Sequence, residues 1–333
     1  MNKQDKLKKI VSKFSRANVL VIGDLILDEF LWGNVSRISP EAPVPVVRVK
    51  SESFMPGGAA NVANNIHALG GKAFLAGVVG MDERGKILTS ELAKKGMDVE
   101  GIVIDGERPT TLKTRVIAHH QQVVRIDKEK IDGLSAGLIE QIIDYVKEII
   151  EKIDAIIIED YGKGVVTAKL LQEVLRLARR HKKIVTVDPK DEHFHYYKGV
   201  SAITPNHHEA AQAVGIKAKD AGSIARIGRA LLNKLKCEAV LMTRGEDGMQ
   251  LFEKEGRVTH IPTFAQDVFD VSGAGDTVIG TFTLALAAGA NMVNAARISN
   301  IAAGIVVGKV GIAVATQEEI LAKGKERQWT RSG

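Results

Sequence analysis

From Asn18 onward, short apolar runs alternate with amphipathic stretches. The runs 18–23 (NVLVIG), 72–80 (KAFLAGVVG), 154–160 (DAIIIED), 183–189 (KIVTVDP), 201–204 (SAIT) and 238–243 (EAVLMT) are nearly continuous in Val, Ile and Leu. Such runs predict strands buried on both faces. Helical periodicity fills the gaps at 59–69, 83–95, 134–151, 167–180, 219–235, 275–288 and 291–306. Strand and helix in alternation predict a three-layer α/β/α domain, a mostly parallel sheet with helices on both faces.

Two segments break the rhythm. Residues 31–50 contain Pro40, Pro43 and Pro45, which exclude a helix or a central strand there. Residues 109–127 read as two β-runs turning between His119 and Gln122. Together they predict a small antiparallel flap outside the main sheet, whose bare edges a second copy of the chain would cover. The expected organisation is a basic helix or tail over 1–17, one domain over 18–315 with lid segments 31–50 and 109–127, and a charged tail over 316–333. No repeat or low-complexity linker divides the chain.

Charge refines this picture. The net charge is +6 over 333 residues. Residues 1–17 hold Lys3, Lys6, Lys8, Lys9, Lys13 and Arg16 against Asp5, so most of the excess is terminal. Only 5% of residues are aromatic, too few to interleave with the cations as a nucleic-acid surface requires. The single Cys237 and the lack of an apolar leader or a span-length apolar run predict a cytoplasmic protein.

Glycine clusters carry the candidate chemistry. GMDERGKI (80–87) has the glycine and lysine spacing of a P-loop, but Ile87 stands where Ser or Thr would hold magnesium. No G-x-G-x-x-G follows the first strand, which argues against a dinucleotide fold. PGGAANVANN (56–65) brings Gly57 and Gly58 into a helix start, with Asn61, Asn64 and Asn65 as amides for ligand hydroxyls. DVSGAGDTVIG (270–280) sets Gly273, Ala274 and Gly275 before an amphipathic helix with Asp276 in its first turn. Small residues at a helix start aim N–H donors at an anion, with the positive end of the helix dipole behind them. The carboxylate of Asp276 can accept a proton there, although an Asp in this position is also an ordinary cap. The histidines (His119 with His120, His193 with His195, His207 with His208) lack the Cys or carboxylate partners of a zinc site.

The GAGD of 273–276, GGAANVANN and the N-x-x-E of TPNHHEA (204–210) together resemble the ribokinase-like sugar kinases from about Asn18 to Val314. The segments GDLILDEFLWGNVSRISPEAPVPVV, DYGKG (160–164) and VDPK (187–190) are most similar to the D-glycero-D-manno-heptose 7-phosphate kinase group, with Ser272 in place of an expected Thr. Many members of that group carry a nucleotidyltransferase domain as well, which has no counterpart here; a free-standing kinase and a part of a longer chain both fit.

The resemblance implies a ribokinase-like fold and ATP-dependent transfer of a phosphoryl group to a sugar hydroxyl. It makes Asp276 the base, with the amides of Gly273, Ala274 and Gly275 around the transferring group. Asp24, Asp28, Gly57, Gly58 and Asn61 would bind the sugar. Lys190, Asn206, Thr243, Gly245, Asn300 and Ala303 would border ATP, and Glu209 would hold Mg²⁺ through water. A substrate phosphate needs further cations; Lys163 and Arg115 lead, with Arg125 and Arg48 behind them. A monovalent cation, a flap-mediated homodimer and lid closure are further expectations. Another sugar or nucleoside as substrate, or a regulatory protein that kept the fold, are the rival readings.

Overall fold

The computed structural model describes residues 3–119, 121–265, 267–309 and 311–326. Helix α1 (Lys3–Val11) leads into β1 (Asn18–Gly23), then β2 (Leu25–Ile38), β3 (Pro45–Gly58), α2 (Ala59–Ala68), β4 (Lys72–Gly80), α3 (Glu83–Lys94) and β5 (Asp98–Asp105). A hairpin of β6 (Thr111–Ala118) and β7 (Gln121–Lys128) precedes α4 (Ala136–Ile149), β8 (Ala155–Glu159), α5 (Ala168–Arg180), β9 (Ile184–Asp188) and β10 (Ala202–Ile203). The chain continues through α6 (His207–Val214), α7 (Ala221–Leu235), β11 (Ala239–Thr243), β12 (Met249–Glu253), β13 (Val258–Ile261), α8 (Ala274–Ala287), α9 (Met292–Val306) and α10 (Gln317–Glu326).

Nine strands form the main sheet in the order β13-β12-β11-β10-β9-β8-β1-β4-β5. All neighbours from β5 to β11 pair in parallel, and β12 and β13 run antiparallel at one edge. The order reverses between β1 and β8: β4 lies on one side of β1 and β8 on the other. A crevice opens at the carboxyl ends of strands at such a switch point. Here those ends are Gly23–Asp24 and Glu159–Asp160.

Side chains of β1 alternate between two cores. Val19 and Val21 join α2, α8 and α9 on one face, whereas Leu20 and Ile22 join α4, α5 and α7 on the other. Helix α5 shows how the sequence builds such a layer. Thr167 caps its start by accepting from Leu170 N at 3.3 Å, and Leu170, Leu171, Val174, Leu175 and Ala178 bury one stripe. Each buried Leu or Val contributes about 1.5–3 kcal/mol. Helix α8 differs from the amphipathic helix expected: it is buried without interruption from Asp276 to Leu286, because it lies between the sheet and helices α2 and α9.

The terminal segments fold onto this body. In α1, Leu7, Ile10 and Val11 are buried, and the helix packs beside α10, whose Ile320 is also buried. The described part of the expected charged tail is therefore helical at 317–326, and 327–333 lie outside the described residues.

The flap is a separate four-stranded sheet, β3-β2-β6-β7. Its two hairpins, β2–β3 and β6–β7, are antiparallel as expected, but β2 and β6 join them in parallel. It also reaches further along the chain than 31–50 and 109–127. Pro45 and Pro56 both sit in β3, at the sheet's edge, where a missing N–H leaves no ladder bond unmade.

Candidate active site

Asp276 stands in the first turn of α8, facing the crevice at the strand ends, and is only 4% exposed. Asn61 Nδ2 donates to its Oδ2 at 2.6 Å, and the Tyr161 hydroxyl donates to its Oδ1 at 2.8 Å. Burial pushes the Asp276 carboxyl above the ordinary range, and these two donors oppose the shift. Asn61 is itself held: Asn65 Nδ2 donates to its carbonyl at 2.9 Å, and Asn65 Oδ1 accepts from Thr277 Oγ1 at 2.9 Å. Asn64, by contrast, turns outward to accept from Lys95 Nζ at 2.8 Å, so only Asn61 of the three amides of GGAANVANN bonds Asp276.

Gly273 caps α8 at φ 74°, in the left-handed region that favours glycine. Of the three amides expected to cradle an anion, that of Ala274 is already taken by Val271 O at 3.2 Å. The turn that enters the helix uses it. The N–H groups of Gly273 and Gly275 have no partner among the described residues and point the helix start at the crevice.

Asp24 and Asp28 part company. Asp24, just past β1, is 1% exposed and accepts from three loop amides: Tyr161 N at 2.9 Å, Lys163 N at 3.0 Å and Val165 N at 3.1 Å. In this way its carboxylate fixes the DYGKG loop beside the crevice. The same loop supplies Tyr161 to Asp276. Asp28 sits on β2, paired with Arg115 of β6. A side chain at Gly57 would collide with the Asp28 carboxylate, and one at Gly58 (φ 55°) would stand 2.5 Å from the Asp24 carbonyl. The two glycines thus let β3 pass both acids on its way into α2.

Carboxyls crowd this end of the sheet. Glu159 ends β8 beside Asp188 of β9, and burial followed by repulsion from neighbouring acids raises the Glu159 carboxyl well above normal. Asp188 accepts from Thr204 Oγ1 at 2.7 Å and is pushed up to about 8, chiefly by burial. Asp160 accepts from Gly162 N at 2.9 Å, Tyr197 OH at 2.6 Å and His193 Nδ1 at 2.7 Å. Two motifs the sequence singled out therefore contain more than the lysines taken from them.

The remaining expected residues fall into two groups. Asn206 and Glu209 close a capping box on α6: Asn206 Oδ1 accepts from His208 N and Glu209 N, and Glu209 Oε2 accepts from Asn206 N at 2.8 Å. Asn206 also bridges to Thr243 at the end of β11, and Gly245 follows at φ 56°. Lys190 lies beside Gly162, with its charge acting on Glu209. These five residues share one side of the crevice. Asn300 is buried, its Nδ2 donating to Pro262 O at 2.8 Å, and ties α9 to the chain after β13; Ala303, one turn on, packs against the core.

The cations expected to meet a substrate phosphate come from the DYGKG loop and the flap. Lys163 Nζ pairs with Glu129 at 2.6 Å, and Arg125 Nε pairs with Asp127 at 2.8 Å opposite Arg115. Arg48 is exposed on β3, seven residues beyond the Met55 that faces Asp28, roughly 23 Å along the strand. It is not part of the cluster. Among the described residues no three His, Cys, Asp or Glu side chains stand close enough to hold a metal ion by themselves; His120 lies outside those residues.

The site thus sets a buried carboxylate, held by two donors, in the same helix start as two amides without partners among the described residues. A family model for pfkB family carbohydrate kinases matches residues 16–319. The chain belongs to the pfkB family. This pfkB family chain is 48% identical over 317 residues to the bifunctional protein HldE of Geobacter metallireducens, covering 94% of the chain and 65% of that relative. Against HldE of Helicobacter pylori it is 46% identical over 302 residues, 91% of the chain and 65% of the relative. The chain thus spans about two thirds of the length of these relatives. Ribokinase of Arabidopsis thaliana, solved with ribose and ATP, superposes with a TM-score of 0.74 at 18% identity, over 95% of this chain and 99% of that one. Phosphofructokinase-2 of Escherichia coli, solved with potassium, gives 0.78 at 20% identity over the same shares. These likenesses establish the ribokinase-like fold.

Proposed function

We propose that this chain transfers the γ-phosphoryl group of ATP to the anomeric O1 of D-glycero-β-D-manno-heptose 7-phosphate, giving the 1,7-bisphosphate, a step toward ADP-heptose and lipopolysaccharide. The observation that carries the reading is the Asp276 carboxylate, held by Asn61 and Tyr161 beside the free amides of Gly273 and Gly275. Similarity to HldE over nearly the whole chain supports the choice of sugar.

In the reaction, the sugar hydroxyl gives its proton to Asp276 as its oxygen attacks the γ-phosphorus. The new O–P bond forms in line with the bond to the β-phosphate, which breaks and leaves ADP. The Gly273 and Gly275 amides take the charge on the transferring oxygens. Lys190, Asn206, Thr243 and Gly245 border the ATP side, and Asn300 and Ala303 back it. Mg²⁺ fits this donor set mainly through water and phosphate oxygens. Glu209 has one oxygen committed to its cap and one left for a hydrated ion, and no three-residue protein cage is present among the described residues. Mg²⁺ would supply charge neutralisation between the phosphates.

We further infer a cytoplasmic homodimer. No described helix is long and apolar enough to cross a membrane. Strand β7 is an exposed edge carrying Val123, Val124 and Ile126, a surface for a second copy.

The test is ADP release with Mg-ATP and heptose 7-phosphate, beside ribose, fructose and fructose 6-phosphate, in potassium and in sodium buffers, for wild type and Asp276→Asn. Heptose phosphate-dependent turnover that falls by about 10³-fold or more in the variant is expected. Turnover only with another sugar would replace the substrate, and equal turnover in the variant would remove Asp276 as base.

A further inference from the structure

Lys113 is a cation that none of these roles uses. Side chains alternate along β6, so Lys113 and Arg115 share a face. The register aligns Asp28 with Lys113 across β2–β6, and Lys113 with Asp127 across β6–β7. That face bears Asp28 and looks onto the crevice, since the Lys113 ammonium lies 5.7 Å from the centre of the Tyr161 ring. The Tyr161 hydroxyl, in turn, donates to Asp276.

The other cations around it are matched. Arg115 pairs with Asp28, Arg125 with Asp127 and Lys163 with Glu129. Apart from the Tyr161 ring, the Lys113 ammonium has no hydrogen-bond or ion-pair partner among the described residues, although the residue is half-buried. Burial is the main influence pulling its pKa down; Lys163 and Arg125 add to this, while Asp127 and Asp28 oppose it. A partly desolvated ammonium among other cations is destabilised until an anion arrives. An incoming dianion would restore what burial removed and would meet Arg115 and Lys163 as flanking charges.

Resting on the proposed kinase reading, we propose that Lys113 is the specificity-determining residue that selects an acceptor sugar already bearing a phosphate, by pairing its ammonium with that group. A surface lysine lying along a ring for its apolar stem alone would give no such selection. Position strengthens the assignment. The amine sits on the flap side of Tyr161 while the base sits at its hydroxyl, so one acceptor can touch Lys113 with its phosphate and Asp276 with its reacting hydroxyl.

The experiment measures kcat and KM for a sugar phosphate and for the same sugar without phosphate, using wild type, K113M, K113Q and K113R. Loss of a charge-assisted phosphate contact should raise KM for the phosphorylated acceptor about 10- to 100-fold, and shrink the preference between the two acceptors by the same factor. K113R should keep most of that preference. The neutral variants are read together, so failure of one to fold leaves the other. Equal losses on both acceptors, with the preference unchanged, would overturn the role of Lys113 while leaving the kinase reading intact. A wild type that turns over only unphosphorylated sugars would overturn the reading itself, and the inference with it.

Discussion

Tyr161→Phe is the sharpest probe of how the base is set. The substitution removes one hydroxyl and little volume, so the ring and its packing remain. What disappears is the 2.8 Å bond to Asp276 Oδ1, leaving Asn61 as the only side-chain donor among the described residues. A hydrogen bond to a buried charged group is worth about 1.5–3 kcal/mol, and 1.4 kcal/mol is a factor of ten. The proton affinity of Asp276 should therefore rise about 10- to 100-fold. The sign follows from the role: a base works only when deprotonated, so activity is lost as pH falls through its pKa. Burial already holds that pKa above normal, and losing Tyr161 raises it further. The acid limb of kcat should move toward higher pH, so that the variant is about 10- to 100-fold slower below the limb and approaches wild type in alkali. ADP release followed from roughly pH 5.5 to 9.5 reads this directly. A uniform loss with an unmoved limb would refute the reasoning, since it would make Tyr161 a packing residue only.

Two other outcomes are expected. In the ligand-free protein Asp188 keeps its proton up to about pH 8, against 3.8 for an ordinary aspartate, so the folded state binds a proton that the unfolded chain releases. Stability from this group is full below pH 3.8 and declines as pH rises through about 8; the urea midpoint should fall between pH 5 and pH 8.5, and Asp188→Asn should flatten that slope. For the dimer, sedimentation equilibrium should show a two-chain species that Ile126→Lys weakens by about tenfold or more, through a charge placed on the exposed β7 edge; a wild type that stays monomeric at micromolar concentration would refute the proposed interface.

The interior of the main sheet was legible because its strands are buried on both faces and read as unbroken apolar runs. Strand β5 escaped because it is an edge, where Glu100 and Gly101 interrupt the pattern. Helix α6 escaped because eight residues give barely two turns of periodicity. At the candidate site, the place of Asp276 in the first turn of a glycine-led helix was legible. The loop-holding part of Asp24 was not legible, because its partners, the amides of 161–165, lie some 140 residues away, and only the fold brings them together. Tyr161 went unnoticed inside DYGKG for the same reason. The placement of Lys113 has a local signal: it stands two residues before Arg115 on a β-run, hence on the same face.

Chain connectivity separates the two halves of the chemistry. Asp276 and the Gly273 and Gly275 amides belong to the start of α8, whereas Asp28, Lys113 and Arg115 belong to the flap. The flap joins the body only at Asp24, at Gly58, and at the chain segments flanking β6 and β7. On the proposed reading, acceptor choice and phosphoryl chemistry can therefore be inherited separately. On that reading, grafting the hairpins 25–58 and 111–128 from one member of the family onto another, with Asp24 and Gly58 kept as the seams, is expected to exchange the sugar without rebuilding the engine.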